Sequence, residues 1–185
     1  RLTAKGIGLS GAAATCGPYT GELDTAASFT LLDQIAEVGQ PIVILTGGEP
    51  LMREDIFEIA DYGTRLGLKM VMAPNGTLLN EEIAQKMVNS GIQRISISLD
   101  GATAESHDGF RGVSGAFEGA LRGIEAAKSA GIEFQINTTI TQLNAGEIPE
   151  ILKLAENLGA VALHIFLLVP TGRGKYIIDQ AISAQ

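Results

Sequence analysis

The chain has 185 residues, a length for one domain, with 45% hydrophobic and 18% charged residues and a net charge of −8. This balance sustains a buried core and repels a phosphate backbone, and with no tryptophan and three tyrosines there is no aromatic platform for nucleic acid. No apolar run approaches the ~18 residues of a membrane helix, no signal-peptide layout opens the sequence, and a single cysteine, Cys16, excludes an internal disulfide framework. The expectation is one cytoplasmic domain over residues 1–185.

Leu2–Ile7 reads as an opening strand and Thr30–Val38 as the first helix. One unit then repeats: a helical stretch, a glycine, an apolar run. The glycines are Gly39, Gly67, Gly91, Gly131 and Gly159, each where a helix end takes a left-handed residue. The apolar runs are Pro41–Leu45, Leu68–Ala73, Ile92–Leu99, Ile132–Thr139 and Val161–Val169. Continuous runs of this kind suit strands buried on both faces of a parallel sheet. Helices are expected over Glu54–Leu66, Glu81–Ser90 (capped by Asn80), Gly115–Ala130 and Glu147–Leu158, with a closing helix at Tyr176–Ala184. Six strands alternating with helices and joined by right-handed crossovers make either a barrel or an open doubly wound sheet, and periodicity does not choose. In both, functional groups lie on the loops after the strands' C-terminal ends.

Five such loops carry candidate chemistry. In Thr46–Pro50, Gly47 and Gly48 allow close backbone approach, and Glu49 either accepts from an ammonium group or caps the next helix. Asn75-Gly76-Thr77 reads as a structural turn. Alternation puts Ser96, Ser98 and Asp100 on one strand face, where a polar ligand, water or backbone would satisfy them. In His107–Gly112, read as a loop, Arg111 has a planar fork suited to a carboxylate or is a solvated surface residue. His107 has no metal-ligating neighbours in sequence, and His164, in an apolar strand, reads as a wall histidine. The Gly-rich loop at Pro170–Lys175 does not match a phosphate loop.

In set and order, these loops resemble those of radical S-adenosylmethionine (radical SAM) enzymes. Gly47-Gly48-Glu49-Pro50 resembles the motif that holds the methionine amine. Asn75-Gly76-Thr77, Ser98–Gly101, His107-Asp108, Phe110-Arg111-Gly112 and Val169–Gly174 resemble later strand ends in the branch of haem-modifying enzymes (alternative haem and haem d1) and related peptide-maturing enzymes. The resemblance runs from about Gly21 to Lys175. It implies a parallel α/β fold, a (β/α)6 partial TIM-type barrel. It also implies S-adenosylmethionine and a [4Fe–4S] cluster as cofactors, and a deoxyadenosyl radical acting on a tetrapyrrole or peptide. By the same resemblance, Gly47, Gly48, Glu49 and Pro50 would hold the amine and Arg111 the carboxylate. Asn75 lies in the matching turn, Ser98 and Asp100 near the ribose or methionine end, and Asn137 and Thr139 in the wall near the adenosine.

One departure bears on activity. The family places Cys-x3-Cys-x2-Cys after the first strand, whereas Lys5–Ala12 contains no cysteine and Cys16 stands alone. A [4Fe–4S] cluster takes several protein thiolates. The sequence therefore reads as a core with an altered cluster loop near residues 5–17 and without the branch's C-terminal extension, inactive as it stands. The alternative is a cluster-free barrel that binds S-adenosylmethionine or serves a structural role. An aldolase-like barrel is disfavoured because Lys69 lies at the wrong end of its strand and Lys175 beyond the sixth. An open barrel also leaves sheet edges that self-association would cover.

Overall fold

The computed structural model describes residues 22–169 and 178–182. In chain order the elements are α1 (Thr25–Val38), β1 (Ile42–Leu45), a 3-10 turn at Pro50–Met52, α2 (Ile56–Arg65), β2 (Lys69–Met72), α3 (Glu81–Asn89) and β3 (Arg94–Ser98). There follow α4 (Ala104–Arg111), α5 (Ala116–Ser129), β4 (Glu133–Ile140), a 3-10 turn at Ala145–Glu147, α6 (Ile148–Leu158) and β5 (Leu163–Leu167). The five strands pair in parallel in sequence order and form a curled half-barrel. The expected opening strand Leu2–Ile7 lies outside the described residues. So does most of the expected closing helix, of which residues 178–180 carry one 3-10 turn.

The alternation within each strand separates two faces. Met70, Met72, Ile95, Ile97, Phe134 and Ile136 point to the helices and join Met87, Ala120, Ile124 and Ala127 in one core. Each such large side chain contributes about 1.5–3 kcal/mol by leaving water. The opposite face stays partly open: β4 alternates exposed or half-buried with buried residues along its length. The helices therefore cover the convex side, and the concave side faces the lumen of the half-barrel.

Helix ends explain the junctions. Gly67, Gly91, Gly131 and Gly159 take φ of 82°, 79°, 76° and 83°, as their positions after helices require. Gly39 does not: its φ of 167° is extended backbone, because the chain leaves α1 directly into the run toward β1. α1 begins earlier than its apolar pattern suggests, since the Asp24 carboxylate accepts from Ala27 N at 2.8 Å. Arg53 grips Asp55 with two bonds (2.6 and 2.9 Å) and reaches Ser28 and Glu22 at 3.3 Å, which ties the start of α1 to the loop after β1.

The main correction concerns residues 104–111, expected as loop and found as helix α4. Thr103 caps it in a capping box with Ser106, and Gly112, at φ 68°, ends it. Its polar composition and internal Gly109 hid it from a hydrophobicity reading. α5 packs closely on the turn after β2 because Gly119 and Gly123 have no side chains there. A Cβ on Gly123 would run into the Gly76 carbonyl oxygen. Gly123→Ala should therefore lower stability by about 1–3 kcal/mol, read as a lower urea midpoint at unchanged slope. Gly109→Ala, inside α4 with nothing within 4 Å of the added carbon, should raise it by roughly 0.5–1 kcal/mol.

Candidate functional site

The loops at the C-terminal strand ends converge, and backbone-to-side-chain bonds hold them together. After β1, Gly47 adopts φ 147°, which a side chain would strain, and neither Gly47 nor Gly48 has any atom within 4 Å of an added Cβ. Packing therefore does not demand these glycines, and the space beside them is open. Glu49 is buried, and its two oxygens accept from Leu51 N at 3.2 Å and from Asn75 N at 2.8 Å. It caps the short turn that starts at Pro50 and also binds the β1 loop to the β2 loop. Burial raises the Glu49 pKa, and the two backbone donors oppose the rise.

After β2, Asn75 Oδ1 accepts from Thr77 N at 2.8 Å and from Thr77 Oγ1 at 2.7 Å. This is the expected structural turn, in the Asx form. Gly76 sits at φ 86° against Ala120 and Ile97.

After β3 comes the node of the site. Asp100 is 0% exposed. Its Oδ1 accepts from Thr139 N on β4 at 2.7 Å, and its Oδ2 lies 2.6 Å from Arg111 Nη2. The Asp100 N–H donates to His107 Nδ1 at 3.0 Å, and the Asp100 carbonyl accepts from Asn144 Nδ2 at 2.8 Å. Asn144 also donates to the Thr139 carbonyl at 2.9 Å. Burial pushes the Asp100 pKa up, against the Arg111 charge and the Thr139 bond.

Arg111 is not the solvated residue that a loop would give: it lies at the end of α4 with a side chain 13% exposed. Its contact with Asp100 balances charge but is not aligned as a hydrogen bond, so Asp100 Oδ2 and Arg111 Nε are buried without hydrogen-bond partners among the described residues. Arg111, His107, Ser98, Asn75, Thr77 and Ala116 line a small pocket. His107 is 2% exposed, and its pKa falls to about 4 through burial first and the Arg111 charge second. The ring is therefore neutral near pH 7. Its Nδ1 accepts, so the proton is on Nε2.

Of the residues singled out in the sequence, the fold brings Glu49, Asn75, Ser98, Asp100 and Arg111 to one rim, with Gly47, Gly48 and Pro50 on the adjoining loop. Asn137 and Thr139 stand half-buried on the concave face of β4, in register with His164 and Phe166. His107 and Asn144 were missed as site residues. The spacing of His107 and Arg111 at i, i+4 would have placed them on one helix face had α4 been recognised. Asn144 has one local partner, Thr141 N at 2.8 Å, but its bonds to the site run to the carbonyls of Asp100 and Thr139, 44 and five residues away. Lys69 is exposed at the start of β2, away from these loops.

The sequence signature of the radical SAM superfamily covers residues 15–155, and the chain belongs to that superfamily. The AdoMet-dependent heme synthase of Nitratidesulfovibrio vulgaris is 56% identical over 167 residues, 90% of this chain and 46% of that protein. The Fe-coproporphyrin III synthase of Methanosarcina barkeri is 36% identical over 167 residues, 90% of this chain and 42% of that protein. The chain thus spans less than half the length of these relatives. The solved structure of anSMEcpe with bound AdoMet and the Cp18Cys peptide superimposes with a TM-score of 0.71 at 19% identity, over 88% of this chain and 48% of that one, and so shares the fold.

The two cofactors that the family implies fit differently. S-adenosylmethionine carries a carboxylate, and the orphaned Arg111 Nε beside the pocket is a buried donor that such a group would satisfy. The [4Fe–4S] cluster does not fit the residues present, since the sequence holds one cysteine, Cys16, which lies outside the described residues. Among the described residues no three His, Cys, Asp or Glu side chains lie close enough to hold a metal. Among the same residues no helix is long and apolar enough to cross a membrane.

A pH measurement tests the His107 environment. Above pH 6.5 the ring is neutral in both folded and unfolded chains. As pH falls from 6.5 toward 4, the unfolded chain takes a proton that the folded chain refuses, so stability is lost by up to about 3 kcal/mol. Glu49 and Asp100, both raised, act in the opposite sense at acid pH. The wild type should therefore lose stability relative to His107→Gln across this window, in chemical denaturation at stepped pH. Parallel curves would refute a buried neutral imidazole.

Proposed function

We propose that this chain is the S-adenosylmethionine-binding half-barrel of a cytoplasmic radical SAM enzyme that modifies a tetrapyrrole. The observation that carries this reading is the convergence of Glu49, Asn75, Ser98, Asp100 and Arg111 at one rim, together with the 56% identity to a relative named as a heme synthase.

In this reading the open backbone at Gly47 and Gly48, with Glu49, receives the methionine amine. Each Glu49 oxygen already takes one backbone N–H and keeps a further acceptor site for an ammonium. Pro50 starts the turn that fixes the Glu49 backbone. Arg111 receives the carboxylate through Nε, and Asp100, fully buried, acts by holding the guanidinium. Asn75 shapes the rim between them, Ser98 offers its hydroxyl to the methionine or ribose end, and Asn137 and Thr139 form the wall toward the adenosine. Bound S-adenosylmethionine is the family's source of a carbon-centred radical, released by one-electron reduction of its sulfonium. The residues of this chain bind and orient the molecule. They do not hold the electron donor.

The lone cysteine favours a second reading, a cluster-free module that binds S-adenosylmethionine without catalysis. Iron and sulfide analysis after anaerobic reconstitution separates the two: about four irons per chain support the enzyme, and none supports the binding module.

Titration calorimetry with S-adenosylmethionine tests the site in both readings. Glu49→Gln and Arg111→Ala should each weaken binding about tenfold or more, the loss of a charge-assisted hydrogen bond. Unchanged affinity in the Arg111 variant, with its fold intact by circular dichroism, would remove the carboxylate assignment. The same result for Glu49→Gln would remove the amine assignment.

A further inference from the structure

Parallel sheets are ordinarily apolar on both faces, and closed (β/α)8 barrels fill their interior with bulky branched side chains. The convex face obeys this rule. The concave face of β3–β5 does not: Ser96, Gln135 and Asn137 stand there half-buried, and His164 exposed. Small and polar side chains in this position leave a lumen that suits a polar ligand better than a packed core.

The polar groups are organised. Ser96 is in register with Gln135, and Asn137 with His164. Gln135 Nε2 lies 3.1 Å from His164 Nδ1 and 3.4 Å from Asn137 Oδ1. With the Gln135 amide nitrogen as donor, Nδ1 is the accepting ring nitrogen and Nε2 is the one left to donate. His164 Nε2–H and the Ser96 hydroxyl then remain as donors without partners among the described residues. Apolar walls flank this strip, with Ile44 and Val71 on one side and Phe166 on the other. Among the described residues the charges on the same face are Lys69, Arg94 and Glu133, and Arg94 pairs with Glu133, which leaves no unpaired carboxylate on the face.

We propose that Ser96 and His164, the latter oriented by Gln135, form a carboxylate-binding subsite on the concave face, for an apolar substrate that carries carboxylates. Donors without a competing free carboxylate, set between apolar walls, fit such an amphiphile. In this subsite His164 serves as a hydrogen-bond donor through Nε2. The proposal rests on the tetrapyrrole reading above and adds the residues that recognise the substrate's periphery.

The test is an absorbance titration of the full chain with iron coproporphyrin III and, separately, with its methyl ester, which keeps the ring and lacks the carboxylates. The wild type should bind the acid at least tenfold more tightly than the ester. His164→Ala and Gln135→Ala should each weaken the acid about tenfold, leave the ester unchanged, and leave S-adenosylmethionine affinity unchanged by calorimetry. Equal binding of acid and ester, with neither affected by the variants, overturns the subsite and leaves the tetrapyrrole reading standing. A spectral shift in both complexes on His164→Ala makes the imidazole an iron ligand and also overturns the subsite. Binding of neither porphyrin overturns both.

Discussion

The burial of Asp100 is the constraint on which the rim of this half-barrel depends. A carboxylate with no solvent contact demands compensation, and two elements supply it, Thr139 N from β4 and Arg111 from the end of α4. The Asp100 backbone is fixed as well, its N–H by the His107 ring of α4 and its carbonyl by Asn144 in the loop after β4. A pair of this kind adds little net stability, because both charges have left water, but removing one partner is costly. What it fixes is geometry. With Asp100 anchored on two strands, the Arg111 guanidinium cannot swing into solvent. Its Nε remains buried and unmatched, and an unmatched buried donor costs about 1–3 kcal/mol that only an arriving acceptor restores.

Glu49 plays the same part on the other side of the rim. It accepts from the backbone of its own turn and from that of Asn75, so the loops after β1 and β2 move as one body. The rim thus presents a carboxylate at Glu49 on one side and, on the other, the Arg111 guanidinium, whose charge Asp100 balances and whose Nε is an unpaired donor among the described residues. That polarity matches a zwitterion, an ammonium toward one and a carboxylate toward the other. The strands below supply rigidity through an apolar convex face that closes against helices. Their concave face carries a polar strip over β3–β5, at Ser96, Gln135, Asn137 and His164, between apolar residues of β1, β2 and β5.

Much of this was legible in the sequence. The repeated helix, glycine and apolar run located all five described strands, although burial on both faces did not follow: β4 is buried on one face only, and β1 and β5 are exposed or half-buried along their length. The local pattern failed where the physics is not local. Gly39 follows a helix but is extended, since the next segment rather than the cap sets its backbone. Helix α4 is stabilised by a capping box and by burial of only His107 and Phe110, so its pattern resembles a loop. The site followed the same division. Glu49, Asp100 and Arg111 could be nominated from motif and residue type. That Asp100 is wholly buried, that Arg111 is its partner, and that Asn144 bridges Asp100 to Thr139 required the strands to be side by side.

The mismatch between family and cysteine count follows from how the two cofactors are held. In the proposed reading, S-adenosylmethionine would be held by groups that also hold the rim together: Glu49 joins two loops, and Asp100 with Arg111 joins two strands to a helix. Cluster binding instead depends on thiolates, which the described barrel does not use for its own cohesion: its core is built of aliphatic side chains, phenylalanines and three buried methionines, with no cysteine. The barrel and its rim are therefore indifferent to the presence of the thiolates, whereas the chemistry is not. Rim geometry and cysteine content are thus separate properties of the sequence, to be measured separately, affinity by calorimetry and redox capacity by iron.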